Sequence, residues 1–346
     1  MGPVAPQPAD GGVCRVAGAH GYNRHLARRR SDTAMELRHL RYFVMVAEEK
    51  HFTRAAARLN MQQPPLSQQI RALEEELGFA LFLRHPKGVE LTAGGEAFLR
   101  EAQDILARVA QGASKAARVA QGIEGMLALG FTSSATSHPL IPRIIREYRA
   151  RFPGVEIALS EDNAQRLTES VTAGGIDLGV LRAPVANPAG IEFHRLLVED
   201  MLLTLPVDHP LATDAARREG VPLAALARER FILVRRPGAP GMYANLIAAC
   251  RNAGFEPAIA FEVERMLTNV SLVAAGAGIS VVPASMKDLH RDNVAYCRLR
   301  GAKPRLVAPV TLVCRGFNQS PPLRNFIALA RQLSAEYRRQ PPVAAG

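Results

Sequence analysis

The stretch that decides the fold covers residues 52–77 and reads FTRAAARLNMQQPPLSQQIRALEEEL. Its first half predicts a short, alanine-rich helix over residues 53–59, with the Thr53 hydroxyl capping the free amide groups at its start. Asn60 is expected to end this helix, because asparagine tolerates the left-handed backbone conformation. A second helix is expected over residues 64–77, since proline is favoured in the first turn of a helix.

The second helix is predicted to have one apolar and one polar face. Apolar residues recur along it at spacings of four, three and four: Leu66, Ile70, Leu73 and Leu77. The opposite face carries polar side chains: Ser67, Gln68 and Arg71. Two short helices joined by a tight turn, the second with a polar N-terminal face, predict a helix-turn-helix. Such a motif places its second helix in the major groove of DNA.

The flanking segments are expected to complete a small DNA-binding domain. Apolar periodicity predicts a helix over residues 37–49 that packs on the other two. After Gly78, alternating apolar residues on both sides of a Pro-Lys-Gly turn predict a β-hairpin, or wing, within residues 81–91. Arg84 and Lys87, placed at the tip of the wing, are expected to contact phosphate groups.

A long helix is expected to follow, capped by Thr92 and ending near residue 121. Its small and apolar residues alternate at spacings of four and three: Phe98, Ala102, Ile105, Val109, Gly112, Ala116, Val119 and Ile123. This pattern is typical of helices that pair in a coiled coil, so the helix is expected to join two subunits. The alternative is a single amphipathic helix that packs on its own domain.

From Met126 onward, predicted strands alternate with predicted helices, which favours an α/β fold with mainly parallel sheets. The segment is long enough for two lobes, and ligands in such folds bind at the carboxyl ends of the strands. It contains no nucleophile elbow, metal cluster or phosphate loop that would indicate an enzyme. GAGIS, at residues 276–280, is too short for a dinucleotide-binding fingerprint.

Composition and charge indicate how many domains the chain has and how it would bind DNA or a ligand. The chain has 346 residues, 48% of them hydrophobic, which is enough for two or three domains with sizeable cores. Its net charge is +11, but residues 35–92 hold eight Lys and Arg against seven Asp and Glu, a net charge of +1. Phosphate contacts must therefore come from individually placed residues. The excess in residues 125–346, 26 basic against 19 acidic, suits either an anionic ligand or an arginine-rich solvated surface.

The cysteine spacing and the N-terminal sequence indicate the cellular compartment of the protein. The four cysteines match neither a CxxC pair nor a metal motif in their spacing: Cys14, Cys250, Cys297 and Cys314. We expect reduced structural thiols in a cytoplasmic protein, without a membrane span or secretory signal. Residues 1–34 are expected to be a disordered extension, or to precede a true start at Met35. The alternative is a basic arm that contacts DNA through Arg28, Arg29 and Arg30.

The chain from Met35 to about residue 339 resembles the LysR-type transcriptional regulators. The resemblance is carried by PPLSQQIRALEEELG and LFLR…LTAGG, and later by LPVDHPLA and LVAAGAGISVVPASM. The form QPPLSQQI is similar to the branch that regulates the catabolism of aromatic compounds. The resemblance implies an α/β protein with an N-terminal winged helix-turn-helix, a long dimerising linker helix and a C-terminal effector domain. That domain would have the two lobes of a type 2 periplasmic-binding-protein fold, and such proteins are commonly homotetramers and activators.

The resemblance also implies which residues contact DNA. Base contacts are expected from the start of the second helix, where glutamine can bond to adenine and serine to several bases: Gln63, Pro64, Ser67 and Gln68. Backbone contacts are expected from basic residues around it: Arg54, Arg71, Arg84 and Lys87. The seam of the linker helix is expected to dimerise through five residues: Phe98, Ala102, Ile105, Val109 and Ala116. For the DNA contacts the alternative is a helix face that is merely solvated.

The effector is expected to bind between the two lobes. Hydroxyl groups and free amides after the first strand would cradle an anion, the alternative being ordinary helix capping: Thr132, Ser133, Ser134 and Ser137. Asp162 lies on a second wall and would repel a carboxylate, which argues against a simple aromatic acid, whereas Arg182 would restore a positive charge. Met266 and Thr268 would begin the opposite wall.

The expected domain bounds follow from these patterns. They are an extension at 1–34, a winged helix-turn-helix at 35–92 with the motif at about 52–71, a linker helix at 93–124, and an effector domain at 125–340. The effector domain would have lobes at about 125–197 plus 302–340 and at about 198–301, with crossovers near residues 196–199 and 298–303.

These features predict a ligand-responsive regulator that binds promoter DNA as a dimer or tetramer and responds to a small anionic effector. Its partners would be double-stranded DNA, further copies of the chain and RNA polymerase, with no metal, cofactor, membrane or enzymatic activity, in the bacterial cytoplasm at the nucleoid. One alternative is a redox-sensing regulator of the same family that uses Cys250 and Cys297. Another is a small-molecule binding protein without a DNA function.

Overall fold

The computed structural model of the chain describes residues 35–86, 88–184, 186–234, 242–317 and 319–339. The predictions for residues 1–34, including the alternative of a DNA-contacting arm, and the prediction for Lys87 fall on residues outside the described ones. The chain divides between Gln111 and Gly112 into two compact units. Among the described helices, none combines the length and the apolar character that a membrane span requires.

The first unit contains three helices, a two-stranded wing and the start of a long helix. Its elements are α1 (Leu37–Glu49), α2 (Phe52–Arg58), α3 (Gln63–Leu77), β1 (Phe82–His85), β2 (Gly88–Leu91) and α4 (Ala93–Ala120), which extends past the division. The predicted helices and wing are confirmed to within one or two residues at their ends. Thr92 caps α4 as predicted, because its Oγ1 accepts a hydrogen bond from the Gly95 amide at 2.8 Å.

Capping explains where α2 begins and ends. His51, and not Thr53, is its N-terminal cap, since Nδ1 of His51 accepts a hydrogen bond from the Thr53 amide at 3.2 Å. The prediction for Thr53 is wrong because Phe52 already has helical geometry and places Thr53 inside the first turn. Asn60 follows the helix in the left-handed region with φ 54°, as predicted.

One apolar core holds the first unit together. Phe43 of α1 lies against Phe82 of β1 and Phe98 of α4, with ring centroids 5.4 and 5.2 Å apart. Glu74 ties α3 to the wing, because its Oε1 accepts hydrogen bonds from the amides of Leu81 and Phe82 at 2.8 and 3.2 Å. Aromatic packing therefore fixes the wing against α1, and one carboxylate fixes it against α3.

The second unit alternates strands and helices. Its strands are β3 (Glu124–Phe131), β4 (Gly154–Glu161), β5 (Leu178–Leu181), β6 (Ile191–Pro206), β7 (Val221–Pro222), β8 (Arg230–Val234), β9 (Ala258–Val263), β10 (Ser280–Pro283), β11 (Val294–Arg300) and β12 (Val307–Arg315). Its helices are α5 (Ser133–Thr136), α6 (Leu140–Arg151), α7 (Ala164–Ala173), α8 (Asp214–Glu219), α9 (Met242–Asn252), α10 (Met266–Ala274) and α11 (Pro321–Arg339). Short 3-10 helices occur at Leu223–Leu226 and Ala284–Met286.

A mixed sheet runs through the second unit, with strand order β4-β3-β5-β12-β6-β11-β7 and β10 beside β6. β3 is parallel to β4 and β5, and β8 pairs in parallel with β9. β12 is antiparallel to β5 and β6, and β6 is antiparallel to β10 and β11. The expectation of mainly parallel sheets is therefore wrong, because the two longest strands connect their neighbours in the antiparallel sense.

Two apolar cores give this unit two lobes. The first core is built on β3, α6 and α11, and the second on β8, β10 and α9. β6 passes from one to the other, with Leu197 in the first core and Met201 in the second. The chain returns between Ala308 and Val310, later than the crossover expected at residues 298–303, because β11 and the residues after it still pack in the second lobe.

Candidate nucleic-acid interface and effector cleft

The N-terminal face of α3 presents polar groups to solvent. Proline in the first turn starts the helix, and Leu66 and Ile70 fix its orientation because both are fully buried. Gln63, Pro64 and Gln68 are exposed on the other face. Within the described chain, neither glutamine side chain makes a hydrogen bond. Their amide groups are therefore free to pair with base edges in a groove.

Ser67 is held by the wing. Nη1 of Arg84 donates a hydrogen bond to Oγ of Ser67 at 3.3 Å, and the guanidinium carbon lies 4.9 Å from the centre of the Phe52 ring. Arg84 is the third residue of β1, paired with Val89, and not at the tip of the wing. The two residues that were predicted to contact a base and a phosphate therefore also contact each other, and Arg84 positions Ser67.

The basic residues of α2 and α3 differ in their partners. Arg54 and Arg58 both contact Glu49, with the Arg58 Nη1–Glu49 Oε1 distance at 2.7 Å and the Arg54 Nε–Glu49 Oε2 distance at 3.5 Å. The hydrogen bond from Arg58 is the main reason that the pKa of Glu49 is lowered. Arg71 is exposed and makes no ion pair or hydrogen bond to any described residue. The Arg71 side chain is therefore free to contact a phosphate group, whereas that of Arg54 is already paired with Glu49.

Close backbone approaches fix the wing and were not visible in the sequence. Val89 donates its amide to the Lys50 carbonyl at 3.1 Å. A Cβ on Gly88 would lie 2.6 Å from that same oxygen, and a Cβ on Gly95 would lie 2.2 Å from the Leu81 carbonyl oxygen. Both positions therefore require glycine, for which a pattern of apolar and polar residues carries no signal.

The linker seam divides into a packed half and an exposed half. Ala102 is fully buried in the core of its own unit, and Phe98 packs against Phe43, so the prediction that Ala102 contacts a second subunit is wrong. The reason is that α4 packs its first turns against the helices that precede it. Ile105 and Val109 are 40 and 41% exposed, and the seam continues exposed through Ala116.

In the second unit, the loop after β3 lies where the two lobes meet, because the Ser134 carbonyl of the first lobe and the Ser285 hydroxyl of the second both bond to Arg182. Oγ1 of Thr132 is buried and has no hydrogen-bond partner among the described residues. Ser137 donates its hydroxyl to the Ser133 carbonyl at 3.1 Å, and Ser134 is buried. The Thr132 hydroxyl is therefore enclosed and unpartnered, whereas that of Ser137 is already engaged.

The start of α6 is capped from within the chain, which overturns the anion cradle predicted there. Nδ1 of His138 accepts a hydrogen bond from the Leu140 amide at 3.2 Å, and the His138 carbonyl accepts one from Ile141 at 3.0 Å. Pro142 has no amide hydrogen, and the Arg143 amide bonds to the Pro139 carbonyl. Burial lowers the pKa of His138, so the neutral ring serves as the acceptor.

Arg182 is not a free positive charge. It is buried, and Nη1 contacts Glu199 Oε1 at 2.6 Å while Nε and Nη2 donate to the Ser134 carbonyl. Nη2 also lies 3.0 Å from Oγ of Ser285, whose amide donates to Glu199 at 2.6 Å. Burial lowers the pKa of Arg182, and Glu199 opposes that shift. The prediction that Arg182 restores charge for an anion is therefore wrong: Glu199 neutralises it, and together they join the lobes.

The remaining predicted effector residues differ in access. Asp162 accepts hydrogen bonds from the amide and side chain of Asn163, the N-terminal cap of α7. Met266 is buried in the second core with Sδ 3.3 Å from the Tyr243 hydroxyl, so it cannot line an open wall as predicted. Thr268 is exposed on α10. Arg265, just before α10, contacts Glu161 of the opposite lobe at 3.0 Å.

The cysteines proposed for redox sensing are protected. Cys250 and Cys297 are buried, and both belong to the second core. Burial raises the pKa of Cys250 to about 11 and also raises that of Cys297. A reactive sensor needs an accessible thiol with a low pKa, and these two have the opposite properties.

Comparisons with known proteins assign each of the two units to a described protein family. Residues 37–96 match the family described as "Bacterial regulatory helix-turn-helix protein, lysR family". Residues 120–335 match the family described as "LysR substrate binding domain". Together these matches account for most of the described chain.

Two curated relatives are similar over nearly their whole length. The chain is 40% identical over 296 residues to the HTH-type transcriptional regulator AlsR of Bacillus subtilis, which covers 86% of this chain and 95% of that protein. It is 36% identical over 301 residues to the HTH-type transcriptional regulator BenM of Acinetobacter baylyi, with 87 and 97% covered.

Solved structures are similar at the level of the fold as well. The crystal structure of CbnR, a LysR family transcriptional regulator, matches with a TM-score of 0.72 at 31% identity and covers 86% of this chain and 100% of that chain. Full-length CbnR complexed with its target DNA matches with a TM-score of 0.70 at 30% identity, covering 87% of this chain and 100% of that chain.

Proposed function

The chain belongs to the LysR family of bacterial helix-turn-helix regulators, and from this premise we propose which of its residues perform each part of the regulation. It is a ligand-responsive transcriptional regulator of a family that binds DNA as multimers and senses small-molecule effectors through the C-terminal domain. The predicted family, fold class and general function are thereby confirmed.

The recognition surface that we propose is the exposed N-terminal face of α3. The observation that carries it is that Gln63 and Gln68 are exposed and make no hydrogen bond within the described chain. Pro64 offers an apolar contact, and Ser67 is presented by Arg84. Arg71 is assigned to phosphate, because it is unpaired and lies one turn further along the helix.

Footprinting and fluorescence anisotropy on the DNA upstream of the protein's own gene test this assignment. We expect protection of two inverted half-sites about one helical turn apart, with affinity that falls steeply as salt rises. Gln68→Ala should weaken specific binding by about 1–3 kcal/mol, while Gln332→Ala, at an exposed position of α11, should leave it unchanged. Equal affinity of all three proteins for the operator would reject the assignment.

Subunit pairing is assigned to the exposed part of α4. Ile105, Val109 and Ala116 continue the heptad seam beyond the buried Ala102, and pairing would remove their apolar surface from water. Ile105→Asp and Val109→Asp should shift the protein toward monomers in sedimentation experiments. Ala107→Asp, on the opposite face of α4, should not. A tetramer would be two such pairs.

The effector is assigned to the cleft between the lobes, next to the hydroxyl groups of Thr132 and Ser133 and the exposed Thr268. The unpartnered Oγ1 of Thr132 supports this placement, because buried hydroxyls ordinarily have a partner. Since Glu199 neutralises Arg182, we propose a small polar effector held by hydroxyl groups. An anion would be recognised without an arginine ion pair from Arg182.

Several further properties are proposed with this function. We assign the DNA-binding domain to residues 35–92, the linker to 93–124 and the effector domain to 125–340. The protein would act on promoter DNA and RNA polymerase in the bacterial cytoplasm, at the nucleoid, without enzymatic activity, and this regulation would require no cofactor besides its effector. A binding protein without a DNA function is the competing assignment, and the footprinting experiment separates the two.

A further inference from the structure

Away from the effector cleft, three side chains of different chemistry converge at the end of the first lobe where β6 begins. Glu192 and His194 lie on β6 and Cys314 lies on β12. Cys314 is paired directly opposite Glu192 across the two antiparallel strands, and His194 is two residues further along β6. Because side chains alternate along a strand, all three lie on the same face of the sheet.

Two of the three distances among these groups are close to those that a tetrahedral zinc ion imposes. Nε2 of His194 is 3.5 Å from Sγ of Cys314 and 3.2 Å from Oε2 of Glu192, and all three ligand atoms lie within 4.8 Å of one another. Zinc bonds of about 2.3 Å to sulfur and about 2.0–2.2 Å to nitrogen and oxygen separate adjacent ligands by roughly 3.4–3.5 Å. Only a small movement of the half-exposed Glu192 side chain is needed to complete the geometry.

The donor set and its burial suit a borderline divalent ion. Thiolate, imidazole and carboxylate are the three ligand types that zinc takes in proteins. Cys314 is fully buried and His194 is largely buried, whereas Glu192 is 49% exposed. The proposed site is therefore buried on the side of Cys314 and His194 and open to solvent on the side of Glu192. On that open side, water or a fourth ligand completes the coordination.

Arg331 of α11 competes with a cation for this place. Its Nη2 donates a hydrogen bond to Nδ1 of His194 at 2.9 Å. A neutral imidazole carries one hydrogen, so Nε2 then carries it and cannot bind a metal. Metal binding at Nε2 moves that hydrogen to Nδ1, where it would meet the guanidinium. Arg331 is exposed, so it can turn into solvent when an ion enters.

We propose that Glu192, His194 and Cys314 form a site for a divalent transition-metal ion of the zinc class, with Arg331 as its built-in competitor. On binding, the Cys314 thiol releases its proton to solvent and the thiolate becomes a ligand. The site does not depend on the assignment of the effector cleft, because the two share no side chain.

Cobalt titration of the tag-free, full-length protein tests the site. A cysteine ligand gives Co²⁺ an intense thiolate-to-metal absorption band, and competition with Zn²⁺ then gives the zinc affinity. We expect the band in the unaltered chain, in Cys14→Ser and in Cys297→Ser, and its loss in Cys314→Ser. Glu192→Gln should weaken zinc binding by about tenfold or more.

Arg331→Gln gives an effect of opposite sign, which a merely structural role would not produce. Removing the positive charge that lies 2.9 Å from Nδ1 of His194, the ring nitrogen other than the proposed ligand atom Nε2, should strengthen metal binding by at least about fivefold. If Cys314→Ser does not fold, the exposed Glu192 and Arg331 variants carry the same test. Absence of the band in the unaltered chain, or its persistence in a folded Cys314→Ser protein, overturns the proposal. Zinc affinity unchanged by both Glu192→Gln and Arg331→Gln overturns it as well.

Discussion

On α3, Gln63 and Gln68 are exposed and make no hydrogen bond within the described chain, whereas Arg182 in the second unit is 4% exposed and fully engaged. Arg182 bonds to Ser134, Glu199 and Ser285, which come from three different elements. A surface that reads DNA must keep its polar groups free for the base edges. A charge that holds two lobes together must be satisfied inside the protein, because an unpaired buried charge is costly.

This contrast explains why the first unit was easier to predict than the second. Exposed residues on a regular helix follow from periodicity, so the polar face of α3 could be predicted from Leu66, Ile70 and Leu73 alone. The partner of Arg182 lies 17 residues away on the next strand, and nothing in local spacing indicates the pair. The sequence therefore suggested a free cation where the fold has a neutralised one.

The same limit applies to the contacts that position the DNA-binding residues. The bond from Arg84 to Ser67 spans 17 residues, and Glu74 bonds to amides seven and eight residues away. Such contacts depend on how the wing folds back on α3. The cluster of His194 and Cys314 spans 120 residues, so a search for spacing motifs cannot find it.

The largest expected effect concerns the buried ion pair between Arg182 and Glu199. Arg182→Ala leaves the largely buried Glu199 carboxylate without its counter-charge and should lower the free energy of unfolding by about 3–5 kcal/mol, measured by urea denaturation. The matched control is Arg305→Ala, which removes an ion pair with Asp200 whose side chains are 77 and 57% exposed. That change should cost less than about 1 kcal/mol. Similar losses in both variants would show that Arg182 is not a buried tie between the lobes.

A second effect tests the backbone approach that fixes the wing of the first unit. In Gly95→Ala the new Cβ would lie 2.2 Å from the Leu81 carbonyl oxygen, which should lower the unfolding free energy by about 1–3 kcal/mol. Gly112→Ala, in the same helix, meets no atom within 4 Å and should stabilise it by up to about 1 kcal/mol. Thermal unfolding of the two variants should therefore shift in opposite directions. A shift of both variants to higher temperature would mean that α4 has no close contact at Gly95, and a shift of both to lower temperature would mean that a side chain at Gly112 is not free of contacts.

A third prediction distinguishes the residue of α3 that is assigned to phosphate groups, Arg71, from one that is assigned to base edges, Gln68. Arg71→Ala should weaken binding to operator and to unrelated DNA alike, and should reduce the slope of log affinity against log salt by about 0.9. Gln68→Ala should leave that slope unchanged and lose affinity mainly for the operator. Anisotropy titrations at several salt concentrations measure both quantities. A selective loss for the operator in Arg71→Ala would move Arg71 from the phosphates to the bases.

The smallest expected effect concerns the His138 ring of the second unit, which accepts a hydrogen bond from the Leu140 amide. Burial lowers the pKa of His138 in the folded chain below its unfolded value of about 6.5, since the neutral ring caps Leu140. As pH falls through the unfolded value, the unfolded chain takes up a proton that the folded chain does not. The unfolding free energy should therefore decrease between the unfolded and the folded pKa, by at most about 1.4 kcal/mol per pH unit from this residue.

His138→Asn isolates that contribution, because the amide oxygen can accept the Leu140 hydrogen bond but does not titrate. Unfolding free energies measured by urea denaturation from about pH 7 to about pH 5 should fall less steeply in the variant. The variant should lose some stability near neutral pH, because it also loses the contact of the His138 ring with Tyr337, at a centroid distance of 5.1 Å. Parallel curves for the two proteins would mean that folding does not lower the pKa of His138, and that the neutral ring is not what caps the start of α6.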